Sequence, residues 1–196
     1  TTKAFNYYHT GSTKLDLRGT ELMSGAGGEL KVKSRPGRIE IEAKVYGLDE
    51  PSKFGLEYLT YVLWALSPQG RAINLGEFVR ERGASKLRAT TELQTFGMVV
   101  TAEPYFAVTQ PSSLVVLESV ARPDTVGREE QIDFSFELLA RDAYSSSNER
   151  IQDAIFGVDP RTPLELFEAR NAVRIARLAQ AQTYAAPALL KAEQSL

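Results

Sequence analysis

A run of ten largely apolar residues, 57–66, constrains the fold of this chain more than any other segment. A turn sequence, Ser67-Pro68-Gln69-Gly70, follows it, and residues 73–78 form a second strand-like run. The two runs and the turn between them predict a β-hairpin. Because apolar side chains fall on both odd and even positions of the first strand, we expect that strand to lie mid-sheet, with cover on both faces.

The segment from about residue 14 to residue 140 shows mainly the two-residue period of β-strands. The clearest case is residues 39–45, where apolar and charged residues alternate strictly and predict a strand with one buried face. Further strands are predicted at 73–79, 93–102, 105–109, 113–118 and 131–139. Many short strands with turns between them predict a mainly β fold, an immunoglobulin-like antiparallel β-sandwich over residues 1–140.

The chain changes character after the predicted sandwich. Residues 141–161 are small and polar over much of their length and are predicted to be a linker. Thr162 then predicts a helix N-cap, with proline next and Glu165 completing a capping box. The first helix should run to about Gln182 and a second one toward the last residue, so residues 162–196 are predicted to form a C-terminal α-helical hairpin.

The first predicted helix carries a wide apolar arc and a narrow polar strip. Arg170, Arg174 and Arg177 form the strip, which could contact an acidic polymer or lipid headgroups, or could be a solvated helix face. Because the apolar arc requires more than one packing partner, the hairpin is either a shortened piece of a longer helical module or a homo-oligomerisation element. Tyr105, between two strand runs, binds a partner if exposed and fills the core if buried. These four residues are the candidate interaction surface.

Composition argues against several classes of function. The chain has 23 basic and 25 acidic residues, a net charge of −2, so we expect no nucleic-acid partner. No apolar run approaches the roughly 18 residues of a membrane helix. With no cysteine, thiolate metal sites and cysteine nucleophiles are excluded. His9, the single histidine, is expected on the surface. We therefore predict no catalytic, cofactor-binding or metal-binding residues, and no enzyme.

Two segments resemble parts of bacterial envelope proteins. Residues 61–70 and 74–78 resemble the Tyr-x-Leu-Trp, Gly and Leu-Gly pattern in the extracytoplasmic β-sandwich of anti-sigma-K factors, and residues 99–104 resemble its closing strand. The helical end, at 169–176 and 184–192, is similar to an alanine-rich helical module that precedes OmpA-like peptidoglycan-binding domains in longer proteins. The two resemblances imply an envelope protein, in the periplasm or associated with the outer membrane.

The sequence thus predicts a non-enzymatic structural or interaction module of the cell envelope. Its partners would be envelope proteins or the cell wall, reached through regions outside this chain. The N-terminus lacks the features of a signal peptide and begins at Thr1, which suggests a processed or shortened chain. A carbohydrate-binding or carbohydrate-acting sandwich is the alternative, and two carboxyl groups converging in an aromatic-lined cleft would favour it.

Overall fold

The chain is mainly β, with helices at its C-terminal end. Its computed structural model describes residues 3–8, 11–79, 83–130 and 161–196. The strands within these residues are Ala4–Asn6 (β1), Ser12–Gly19 (β2), Gly27–Arg35 (β3), Arg38–Tyr46 (β4), Thr60–Leu66 (β5), Ala72–Glu77 (β6), Ala84–Thr91 (β7), Thr95–Glu103 (β8), Val115–Ala121 (β9) and Arg128–Glu130 (β10). The helices are Leu164–Leu178 (α1), Ala181–Tyr184 (α2) and Ala186–Gln194 (α3).

The strands form one antiparallel sheet that curls into a nearly closed barrel. Eight of them follow the order β6-β5-β8-β9-β2-β3-β4-β7, and β1 and β10 extend the sheet from the start of β8. The two ends of the eight-strand path approach each other, because Gly76 of β6 lies against the side chain of Leu87 of β7. Among the described residues no backbone ladder joins β6 to β7, so the barrel is closed there by side-chain packing.

The predicted central hairpin is confirmed. All seven residues of β5 are buried, and β5 pairs with β6 on one side and β8 on the other. The turn is closed by hydrogen bonds from Ser67 N to Arg71 O (2.9 Å) and from Gly70 N to Ser67 O (3.1 Å). The alternation predicted for residues 39–45 is also confirmed, since β4 alternates buried and more exposed residues along its length.

The two faces of β5 belong to different apolar clusters. Tyr61, Leu63 and Ala65 face the barrel interior, which side chains from the surrounding strands fill. Val62, Trp64 and Leu66 face outward and pack with Val99, Val108 and partly buried Ala72, Tyr105 and Val115. The segment after β8 supplies part of this outer cover, so β5 is buried on both sides although it lies in a barrel wall.

A β-bulge in β6 brings it toward β7. Leu63 pairs with Gly76 and Trp64 pairs with Asn74, so Leu75 is an extra residue on β6. Gly76 has a φ of 119°, which a residue with a side chain rarely adopts. A Cβ there would also lie 3.2 Å from Cδ1 of Leu87, so glycine permits the close approach of the two end strands.

Some predictions of strand layout require correction. The mainly β, antiparallel character is confirmed, but an immunoglobulin-like sandwich of two facing sheets is not confirmed by this strand order. Residues 105–109 are turns and bends instead of a strand, and β7 was not predicted. The predicted strand at 131–139, most of the predicted linker, and His9 lie outside the described residues.

The helical end is close to the prediction but more broken. α1 begins at Leu164, with Pro163 at the N-cap position one residue later than predicted. It ends at Leu178, not near Gln182, because Gln180 adopts the left-handed region with a φ of 60°. The four-residue α2 then leads into α3, so the chain turns back and α3 lies beside α1.

Candidate functional site

Helix α1 is fixed to the barrel through a buried asparagine. Asn171 is 1% exposed, and its Nδ2 donates to the carbonyl oxygens of Glu57 (2.7 Å) and Pro104 (3.0 Å). Its Oδ1 accepts from Nε of Arg174 (3.0 Å). Phe167, one turn earlier, is buried as well. The two carbonyls lie just before β5 and just after β8, so one side chain joins the helix to neighbouring strands.

Helix α1 also carries one member of a pair of carboxyl groups, Glu168, and β6 carries the other, Glu77. Glu168 is 1% exposed. Among the described residues its carboxyl oxygens accept no well-aligned hydrogen bond, and they lie beside the Glu77 carboxyl and the Phe106 amide. Burial is the main cause that raises the pKa of Glu168 to about 8, and the nearby carboxylate of Glu77 raises it further. Glu77 itself accepts a hydrogen bond from Oγ1 of Thr60 (2.8 Å). The two carboxyl groups therefore approach each other under the helix instead of at an open cleft.

A second buried carboxylate lies on the outer face of β8. Oε1 of Glu103 accepts from Oγ1 of Thr101 (2.5 Å) and from the amide of Ser112 (2.7 Å). The Thr101 hydroxyl in turn accepts from Nε1 of Trp64 (2.8 Å). Oε2 of Glu103 has no partner, and burial raises the pKa of Glu103 to about 7 against the lowering effect of these hydrogen bonds.

The segment between β8 and β9 is held in place by side chains. Nδ2 of Asn74 donates to the carbonyls of Phe106 (2.8 Å) and Val108 (2.9 Å). Oγ of Ser112 donates to the carbonyl of Ala102 (2.8 Å). These side-chain hydrogen bonds hold residues 105–109 over the outer face of β5.

The three predicted arginines line one groove. Arg170, Arg174 and Arg177 of α1 line a groove of about 510 Å³, together with Val173, Leu178, Glu193 and Leu196. Nε and Nη2 of Arg177 bind Oε1 of Glu193 at 2.8 and 2.7 Å, which ties α1 to α3. The described residues on its wall include three arginines and one glutamate, so their summed charge is positive.

Tyr105 lies apart from the arginine groove. It is partly buried against the outer apolar cluster, so the core-packing interpretation describes it better than the exposed one. Burial and the nearby Glu103 raise the pKa of its hydroxyl. The structure therefore brings together three of the four predicted interaction residues and places the fourth under the barrel's outer cover.

The sequence interpretation missed the polar residues that organise this face, which are the buried Glu103, Glu168 and Asn171 and the partly buried Asn74. A signal was available for Glu168 and Asn171, which fall three apart on one helix side with Phe167 and Ile175. Glu103 lies on the same strand face as Val99 and Thr101, and that strand is apolar on both faces. This was the signal that Glu103 is buried.

Two further observations limit the chemistry of the described ranges. The side chains described there include no group of three or more His, Asp or Glu that could hold a metal ion. In the same part of the chain, no helix has the length and apolarity needed to cross a membrane.

Comparisons with protein-family models, curated proteins and solved structures found no match to this chain.

Proposed function

We propose that this chain is a non-enzymatic interaction module of the bacterial cell envelope, whose barrel presents helix α1 and its arginine groove to an acidic segment of a partner protein. The observation that carries the proposal is the two-sided use of α1. One side is anchored by Asn171 and Phe167, while Arg170, Arg174 and Arg177, on the adjoining strip of the helix, line the groove beside α3. The envelope location rests on the sequence resemblances alone, and the immunoglobulin-like relationship rests on the strand pattern of the sequence.

Charge and apolar surface both support a protein partner. The groove has net positive charge, and arginine binds carboxylates through its forked donors. Apolar side chains are exposed at the same end of the molecule, with Leu178 37%, Leu196 44% and Leu190 56% exposed. An acidic segment with a few apolar residues would match this combination.

The pair of buried Glu168 and partly buried Glu77 gives less support to a carbohydrate-acting enzyme. Glycosidases need two carboxyl groups that reach a bound sugar. Glu77 and Glu168 approach each other, but Glu168 is sealed beneath α1 with 1% exposure. An interaction module accounts for the exposed groove, and it assigns no catalysis to Glu168, which a substrate does not reach.

The test measures binding of fluorescein-labelled poly-L-glutamate by anisotropy at several salt concentrations. We expect the double variant R170Q/R177Q to bind several-fold more weakly than the native chain and to show a shallower salt dependence, because two charges are removed from the groove. Arg174 is kept because its Nε bond to Asn171 also positions the helix.

The matched control is R35Q/R38Q, which removes the same charge from the β3–β4 turn. Arg35 and Arg38 bind Glu40 there, away from the groove-lining residues. Equal weakening by both double variants would mean that only net charge matters, and unchanged binding by R170Q/R177Q would remove the groove from the proposal. Binding to anionic lipid vesicles with no binding to poly-L-glutamate would replace the protein partner by a lipid surface.

A further inference from the structure

Glu168 occupies a place where an ionised carboxylate is strongly unfavourable. It lies on the barrel-facing side of α1 between Phe167 and Asn171, both of which are buried. Its two oxygens accept no well-aligned hydrogen bond among the described residues, and the polar groups beside them are the Glu77 carboxyl and the Phe106 amide. A buried charge without hydrogen bonds or a counter-ion usually takes up a proton instead.

The groups around Glu168 come from three elements. Glu77 comes from β6, Glu165 comes from α1 itself, and both act on Glu168 as like charges. The amide of Phe106, in the segment after β8, acts in the opposite direction but more weakly. The strongest nearby charges therefore oppose ionisation, as burial does.

No cation among the described residues acts on Glu168. Thr60 of β5 uses its hydroxyl to donate to Glu77 (2.8 Å). Arg174, further along α1, directs Nε to Asn171 (3.0 Å), and Asn171 binds the carbonyl of Glu57. The Asn171 side chain, which anchors the helix, and the Glu168 carboxyl group therefore lie about one turn apart on α1.

We infer that Glu77 and Glu168 form a proton-dependent latch: helix α1 stays docked on the barrel while Glu168 keeps a proton, and undocks when that proton is lost. The released helix would take the carboxylate into water, where ionisation has little cost. Glu77 increases the sensitivity of the latch because its charge repels an ionised Glu168. This inference does not depend on what the arginine groove binds.

The sign of the pH effect follows from the raised pKa of Glu168. A carboxyl group with an ordinary pKa near 4.5 in the undocked helix and about 8 in the docked helix favours docking fully at acid pH. The preference is lost as pH rises toward 8. Each pH unit in this interval changes the docking equilibrium by up to tenfold.

Amide hydrogen exchange with mass spectrometry tests the latch on the full chain. After correction for the intrinsic exchange rate, the protection of α1 amides should fall by up to tenfold per pH unit between about pH 5 and pH 8. Amides of β3 and β4 in the barrel should stay better protected than those of α1 at each pH, because the helix undocks while the barrel remains folded. E168Q keeps the size of the side chain but does not titrate, so the protection of α1 should become independent of pH.

Two further variants keep the test decisive. E103Q makes the same chemical change at a buried site off the latch, so its α1 amides should retain the native pH dependence. E77Q should weaken that dependence, and it replaces E168Q if that variant fails to fold. The latch is refuted if α1 loses protection with pH equally in the native chain and in E168Q or E77Q. It is also refuted if α1 amides are no less protected than those of β3 and β4, because the helix would then open only when the barrel unfolds.

Discussion

Replacing Glu103 by glutamine should make the protein more stable than the native chain above neutral pH. Glu103 has no exposed surface, Oε1 accepts two hydrogen bonds, and Oε2 accepts none. Glutamine can keep the carbonyl oxygen on Thr101 and Ser112 while a neutral amide takes the place of Oε2. The variant therefore removes the cost of burying a charge without removing the accepted bonds.

The magnitude follows from the raised pKa of Glu103, about 7 in the folded protein against an ordinary value near 4.5. Below the ordinary pKa both states are protonated, so this contribution to stability is fully present. As pH rises through 7 the contribution is lost, at about 1.4 kcal/mol per pH unit and about 3 kcal/mol in total. The E103Q variant should not show this loss at residue 103.

Urea unfolding at pH 5, 6, 7 and 8 measures the effect, with Trp64, the single tryptophan, as the fluorescence probe. The chain has no cysteine, so thiol oxidation does not interfere. The free energy of unfolding should depend less steeply on pH in E103Q than in the native chain. E21Q is the control, since Glu21 is exposed and the substitution removes the same charge.

Two results would refute this reasoning. If the native chain and E103Q lose stability in parallel between pH 5 and pH 8, Glu103 does not carry a proton in the folded protein at pH 5 to 7. If E103Q is less stable than the native chain at pH 8, the charged form of Glu103 is needed to hold Thr101 and Ser112. Equal gains in E21Q and E103Q would attribute the change to net charge.

Three further substitutions test the packing. G28A should destabilise the protein by about 2–4 kcal/mol in urea unfolding, because a Cβ would lie 2.3 Å from the carbonyl oxygen of Lys44; G25A, with nothing within 4 Å, should stay within about 0.5 kcal/mol. N171A leaves two buried carbonyls without their donor, so exchange protection of α1 should fall by about 2–4 kcal/mol while β3 keeps its protection. W64F removes the donor to Thr101 and should cost about 1–2 kcal/mol in thermal unfolding, without altering the barrel's circular dichroism.

The parts of the fold that the sequence predicted depend on local patterns. The turn at residues 67–70 lies between two apolar runs, and strict alternation in residues 39–45 defines the two faces of β4. Arg170, Arg174 and Arg177 share a helix side through their spacing alone. Each of these features needs only neighbours within one strand, turn or helix.

Barrel closure is a non-local feature and was not predicted. A sandwich and a barrel show the same inward and outward alternation, and they differ in which strands pair. Here β2 pairs with β9 and β4 pairs with β7, across long stretches of sequence. No strand period carries that information. The same applies to residues 105–109, whose strand-like pattern is overruled by hydrogen bonds from Asn74.

The buried carboxylates show why the candidate site was only partly visible in the sequence. A glutamate in an amphipathic helix or at a strand end is normally solvated, so Glu168 and Glu103 gave no warning by residue type. They became informative only in the structure, where α1 docks on the barrel and the segment after β8 covers the outer face of β5. Because that cover is itself held by Asn74 and Asn171, two asparagine side chains determine whether these glutamates meet water or stay protonated. The proton sensitivity of this face is therefore a property of tertiary packing, and changes at either asparagine should alter it without touching a carboxyl group.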